Sequence, residues 1–156
     1  MMDLRMTQLH FAISIRAPRE KVWHTMLGDE TYRQWTQVFD ASSRFKGDWT
    51  EGSKILFLGN DPNGGGESGM VSRIAKNRPY EFISIEHLGI LKNGVEDTTS
   101  EAAKKWASAY ENYTFKEKDG GTELLVDINS DEEFVGMFND LWPKALQRLK
   151  EIAEAA

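Results

Sequence analysis

The segment SDEEFVGMFNDLWPKALQRLKEI, residues 130–152, reads as one long amphipathic helix. Phe134, Phe138, Leu141, Trp142, Ala145, Leu149 and Ile152 recur every three or four residues, the spacing that puts side chains on one helical face. Ser130 with Glu133 matches a capping box, and Asp131 and Glu132 suit the positive end of the helix dipole. Pro143 removes one backbone donor and predicts a kink. Lys144, Arg148 and Lys150 are diluted by Glu151 and Glu154, which reads as a solvated face. A helix with a single apolar stripe needs a second layer to cover it.

The preceding sequence supplies that layer as strands. Tyr110–Lys116, then Asp119-Gly120-Gly121, then Glu123–Ile128 predicts a hairpin. Further strands are predicted over 80–88, 69–75, 53–58 and 43–49. Residues 59–69 are glycine-rich and read as a loop. Residues 89–105 read as a long irregular segment of the kind that acts as a lid, with a turn at Asn93-Gly94 and a short helix capped by Ser100. Near the start, Phe11, Ile13 and Ile15 alternate with Ala12, Ser14 and Arg16, a half-buried strand. Ala17-Pro18 ends it and opens a helix through Val22, Trp23 and Met26. Gly28 closes that helix, and Asp29 is placed to cap a second one carrying Tyr32, Trp35, Val38 and Phe39. Strands joined by short turns pair antiparallel. The fold class is α+β, with about seven strands and one long C-terminal helix.

Composition narrows the function. At 156 residues the chain is expected to be one domain over 1–156. Lys and Arg number 19 against 25 Asp and Glu, a net charge of −6, which opposes binding to nucleic acid or anionic membrane. Cysteine is absent, which excludes disulfides, thiol catalysis and cysteine-held zinc. The first residues carry no apolar signal segment, so a cytoplasmic location is expected. His10, His24 and His87 lack metal-ligand spacing. Asp61–Glu67 looks like a calcium loop but has Ser72 where the twelfth-position glutamate belongs. Gly66-Glu67-Ser68-Gly69 misses the nucleophile-elbow spacing by one residue, and no Ser-His-Asp set stands out. No catalytic residue, metal or cofactor is assigned.

Several stretches together resemble one family: Ile13 to Trp23, the strand-to-helix entry; Phe45-Lys46-Gly47-Asp48-Trp49 with Glu51-Gly52-Ser53; Gly69-Met70-Val71; and Leu141-Trp142-Pro143-Lys144-Ala145-Leu146. Over about residues 8–154 the chain resembles the START-like, SRPBCC or Bet v 1-like superfamily. More closely it is similar to the subfamily related to the C-terminal domain of the activator of Hsp90 ATPase. The resemblance implies a helix-grip fold, a curved antiparallel sheet wrapped around the C-terminal helix, with two short helices after the first strand. It also implies a cavity between sheet and helix that takes apolar or amphipathic small molecules.

Candidate lining residues of that cavity are Trp35, Phe57, Met70, Ile85, His87, Glu111, Tyr113, Phe115, Phe134, Phe138, Leu141 and Trp142. Such pockets are mostly apolar with a few placed polar groups, here His87, Glu111 and Tyr113. Glu86 adjoins His87 in sequence, but neighbours on a strand face opposite ways, so Glu111 across strands is the better partner. Binding of a small apolar or amphipathic ligand is the leading expectation. Two alternatives stand beside it: a cyclase- or hydrolase-like enzyme using His87 with a cavity carboxylate, and a chaperone-regulating module with a protein partner. Monomer and homodimer both remain open.

Overall fold

The computed structural model describes residues 6–60, 64 and 66–155. The chain begins with strand β1 (Met6–Ile15), then helices α1 (Arg19–Leu27) and α2 (Asp29–Trp35), the latter running into a 3₁₀ turn at Thr36–Val38. Strands β2 (Arg44–Gly47), β3 (Lys54–Asn60), β4 (Glu67–Arg78), β5 (Phe82–Lys92) and β6 (Val95–Asp97) follow. Helix α3 (Glu101–Lys104) precedes β7 (Tyr110–Lys118) and β8 (Gly121–Asp131), and a 3₁₀ turn at Glu132–Phe134 leads into α4 (Val135–Glu154). All strand pairs are antiparallel, in the order β1-β8-β7-β5-β4-β3-β2, with β6 continuing along β5. The path ends at β1 and β2 without closing.

The alternation read in β1 is observed: Leu9 and Ile15 are buried, Phe11 and Ile13 half-buried, and the residues between them exposed. Helix α4 lies against β1, α1 and α2 and buries Trp142, Ala145, Leu146, Leu149 and Ala153. Those side chains share one core with Ile55, Ile74, Ile83, Ile85, Leu124 and Val126 from the inner face of the sheet. A smaller cluster of Leu58, Val71 and Leu91 lies on the opposite face.

Several boundaries differ from expectation, each for a tertiary reason. The segment read as a loop from 59 to 69 is strand at both ends, because pairing continues out to Asn60 opposite Glu67. Asp61, Pro62, Asn63 and Gly65 of the calcium-like stretch lie outside the described residues. The strand read over 80–88 starts at Phe82 and runs on to Lys92, folding back at Asn93-Gly94 into β6; this gives an eighth strand. Both turn residues have positive φ, 52° and 76°, as that tight turn demands. Gly28, rather than Asp29, occupies the cap position of α2. The capping box at Ser130 is also displaced. Ser130 stays in β8 opposite Thr7, and the Asp131 side chain accepts the Glu133 N–H instead.

Gly69 shows how tightly the middle of the sheet is built. Its φ is +152°, and a Cβ there would sit 1.8 Å from the Phe57 carbonyl oxygen. Gly69→Ala is expected to cost about 1–3 kcal/mol from backbone conformation alone, with the carbonyl clash in addition. Gly136, with nothing within 4 Å of its Cβ position in α4, is the contrast. Gly136→Ala is expected to raise stability by about 0.5–1 kcal/mol. Urea midpoints of the two variants moving in the same direction would contradict one of the two assignments.

Candidate functional site

Glu111 stands at the start of β7, and its position follows from period two. Glu111, Tyr113 and Phe115 point to one face, and Tyr113 and Phe115 are buried there. Strand pairing then builds a transverse row across that face: Leu9, Ile128, Glu111, Ile85 and Ile74. The other four members are buried aliphatics. A carboxylate in such a row is costly unless donors surround it.

The donors are present. His87 Nε2 lies 3.2 Å from Glu111 Oε1, and the Tyr113 hydroxyl donates to Glu111 Oε2. Behind the imidazole, Ser72 Oγ lies 2.7 Å from His87 Nδ1. A neutral imidazole protonated on Nε2 satisfies the whole chain: Ser72 O–H donates to Nδ1, and Nε2–H donates to the carboxylate. Ser72 meets His87 because they are register partners on β4 and β5, beside a register shift between Val71 and Ser72. The backbone holds His87 as well, since its N–H donates to Ala109 O and its carbonyl accepts from Ser108 N.

Burial, reinforced by the nearby Glu111 carboxylate, pushes the Tyr113 hydroxyl well above the usual phenol range. The same two causes push Tyr32 of α2 upward. Both phenols therefore stay protonated, and Tyr113 is the one that donates to the carboxylate. Glu111 keeps 23% of its side chain exposed while His87 keeps 9%. Among the described residues, no Lys or Arg pairs with Glu111; the one basic side chain that reaches it is the His87 imidazole, as a hydrogen-bond donor.

Aromatic rings flank this polar chain. The Phe57 ring lies edge-on to His87 at 6.2 Å and is followed by Trp49, Tyr32 and Phe45, with centroids 5.1–6.4 Å apart. Met70 is opposite Phe57 on β4, and both are half-buried. Trp142 is surrounded by Phe11, Trp35, Phe39 and Tyr113 at 5.2–6.2 Å. Rings fill the space at that point.

The candidate residues thus fall into separate groups. Ile85, His87, Glu111 and Tyr113 come together, with Phe57 and Met70 beside them. Trp35 and Trp142 form the packed centre, and the Trp35 indole donates to Met26 O at 3.0 Å. Phe115 packs on Trp23 under α1. Phe134 lies in the turn before α4, stacked on Trp106 at 4.6 Å. Phe138 and Leu141 are half-buried on α4. Surface recesses lie at the far end of β7, around Arg16, Gly120 and Lys150 and beside Arg19 and Arg78. Ser72 and Tyr32 are absent from the sequence-derived set, as is the Ser72–His87–Glu111 alignment. Among the described residues, no group of three His, Cys, Asp or Glu is placed to hold a metal ion, and no helix is long and apolar enough to cross a membrane.

A family model described as "Activator of Hsp90 ATPase homolog 1-like protein" matches residues 16–154. The chain belongs to this family. The match takes in all four helices and every strand but β1. No curated protein matches the chain. Solved structures of the same fold include the solution structure of the Aha1 dimer from Colwellia psychrerythraea, 17% identical, with a TM-score of 0.69, covering 96% of this chain and 97% of that one. A Mesorhizobium loti protein gives 12% identity and a TM-score of 0.69 over 94% and 96%. A Nitrosomonas europaea protein gives 12% and 0.70 over 98% and 97%. The helix-grip arrangement is common to all of them.

Proposed function

We propose that the chain binds a small amphipathic molecule on the inner face of the sheet, with its polar end at Glu111, His87 and Tyr113. One observation carries this reading. Glu111 is a partly exposed carboxylate in an otherwise aliphatic inward row, with donors on both oxygens. A core needs no such group. A site that orients a polar end above apolar walls does. Phe57 and Met70 supply the adjoining apolar surface, and their half-burial leaves area for a ligand to cover.

The test is native mass spectrometry beside the denatured mass, followed by calorimetric titration with eight-carbon amphiphiles. A bound mass lost on denaturation, or saturable one-to-one binding, is the expected result. A clean unliganded mass with no saturable binding of an alcohol, an amine or a carboxylic acid overturns the proposal.

The enzyme alternative draws on the His87–Glu111 pair, a base and an acid within hydrogen-bond reach. Its chemistry runs through Glu111, because Ser72 is 0% exposed and both imidazole nitrogens are already engaged. The binding reading asks less of the geometry. For a chaperone-regulating module, the exposed large apolar residues Val95, Tyr110 and Met137 stand on three different elements. Scattered exposure of that kind is ordinary for a monomer surface.

A further inference from the structure

The charge of Glu111 points to the kind of ligand. The carboxylate accepts from His87 and Tyr113, which uses about two of its roughly four lone-pair positions. No other described side chain hydrogen-bonds to the remaining positions, and the side chain is 23% exposed. The surrounding donors are the His87 imidazole and the Tyr113 phenol, the latter held protonated by burial. They solvate the charge without cancelling it, and no Lys or Arg among the described residues does so. Buried charges ordinarily end up paired. The adjoining walls are aromatic: Phe57 beside His87, then Trp49, Tyr32 and Phe45. Ring faces attract cations and repel anions. The net charge of −6 favours approach of a cation and opposes that of a fatty acid.

We infer that the ligand is an amphipathic amine, whose ammonium group hydrogen-bonds to the Glu111 carboxylate and whose apolar chain lies along Phe57 and Met70. This rests on the small-molecule reading above and adds the headgroup to it. The amine stays protonated when bound, so the bond is charge-assisted on both sides. An alcohol can occupy the same place but leaves the carboxylate charge uncompensated. A carboxylate ligand sets two like charges together.

The experiment compares octylamine, octanol and octanoate by titration calorimetry at neutral pH, on the natural chain and on Glu111→Gln. Octylamine is expected to bind roughly tenfold tighter than octanol or better, with octanoate weakest, the margin a charged hydrogen bond supplies. Glu111→Gln is expected to erase the preference, leaving octylamine no tighter than octanol. If octanol or octanoate binds the natural chain as tightly as octylamine, the amine inference falls and the binding site stands. Retention of the amine preference by Glu111→Gln also overturns it, since the charge then acts elsewhere on an acidic surface. If none of the three binds, both readings fall. The comparison on the natural chain decides the matter even if the variant folds poorly.

Discussion

Trp142→Ala is expected to lower the unfolding free energy by about 3–5 kcal/mol, the range for removing a large aromatic from a core. At this chain length that corresponds to a fall of roughly 6–20 °C in Tm. Trp142 is 3% exposed and is the side chain through which α4 meets the aromatic centre. It touches Phe11 on β1, Trp35 on α2, Phe39 after the 3₁₀ turn, and Tyr113 on β7. Those neighbours come from three separate parts of the chain, so the hole cannot close by one local shift. A residual cavity then adds to the lost transfer free energy. Trp142→Phe keeps a ring in place and is expected to cost less than half as much. Thermal and urea unfolding measure both variants. A Trp142→Ala Tm within about 3 °C of the natural chain would mean that the aromatic centre does not hold α4.

How much of this was legible in the sequence depends on how local the signal is. The β7–β8 hairpin was readable because Asp119 and Gly120 adopt the positive φ their residue types favour, 52° and 81°. Ser100 caps α3 as its sequence suggests, accepting the Ala103 N–H at 3.1 Å. Ser130-Asp131-Glu132-Glu133 misleads because its local pattern suits a helix start equally well. Pairing of Ser130 with Thr7, over a hundred residues away, keeps it in the strand. The long β5 strand was cut short for a related reason. After Ser72 pairs with His87, Val71 pairs with Gly89, so Leu88 is passed over and the period-two pattern changes phase. That irregularity also hid the part that Ser72 plays in the candidate site. Glu111 could be placed inward from its spacing to Tyr113 and Phe115 alone. The meeting of Ser72 with His87 depends on the register of two strands, and Tyr32 sits in a helix stripe that looks purely apolar. No local pattern reports either.

Alkaline unfolding offers the second large effect, and it reads the buried cluster directly. Tyr32 and Tyr113 both have hydroxyls raised in the folded protein, by burial first and by the Glu111 carboxylate second. In the unfolded chain they ionise near the ordinary value of about 10. Above that pH the unfolded state has lost protons that the folded state keeps, so stability falls as pH rises. Their contribution is fully present below about pH 10 and drains away above it. One such group gives a slope of about 1.4 kcal/mol per pH unit, and the two together about 2.7. Urea unfolding at successive pH values from about 9 to 12 is therefore expected to show a nearly flat region and then a steep decline. Tyr113→Phe removes one phenol and should take about 1.4 kcal/mol per pH unit off that slope, whatever it does to stability at neutral pH. An unchanged slope in Tyr113→Phe would mean that this hydroxyl ionises in the folded state as readily as in the unfolded one. The Tyr113–Glu111 contact would then lie in water rather than in a buried site, and the placement of the carboxylate on the inner face would lose its physical basis.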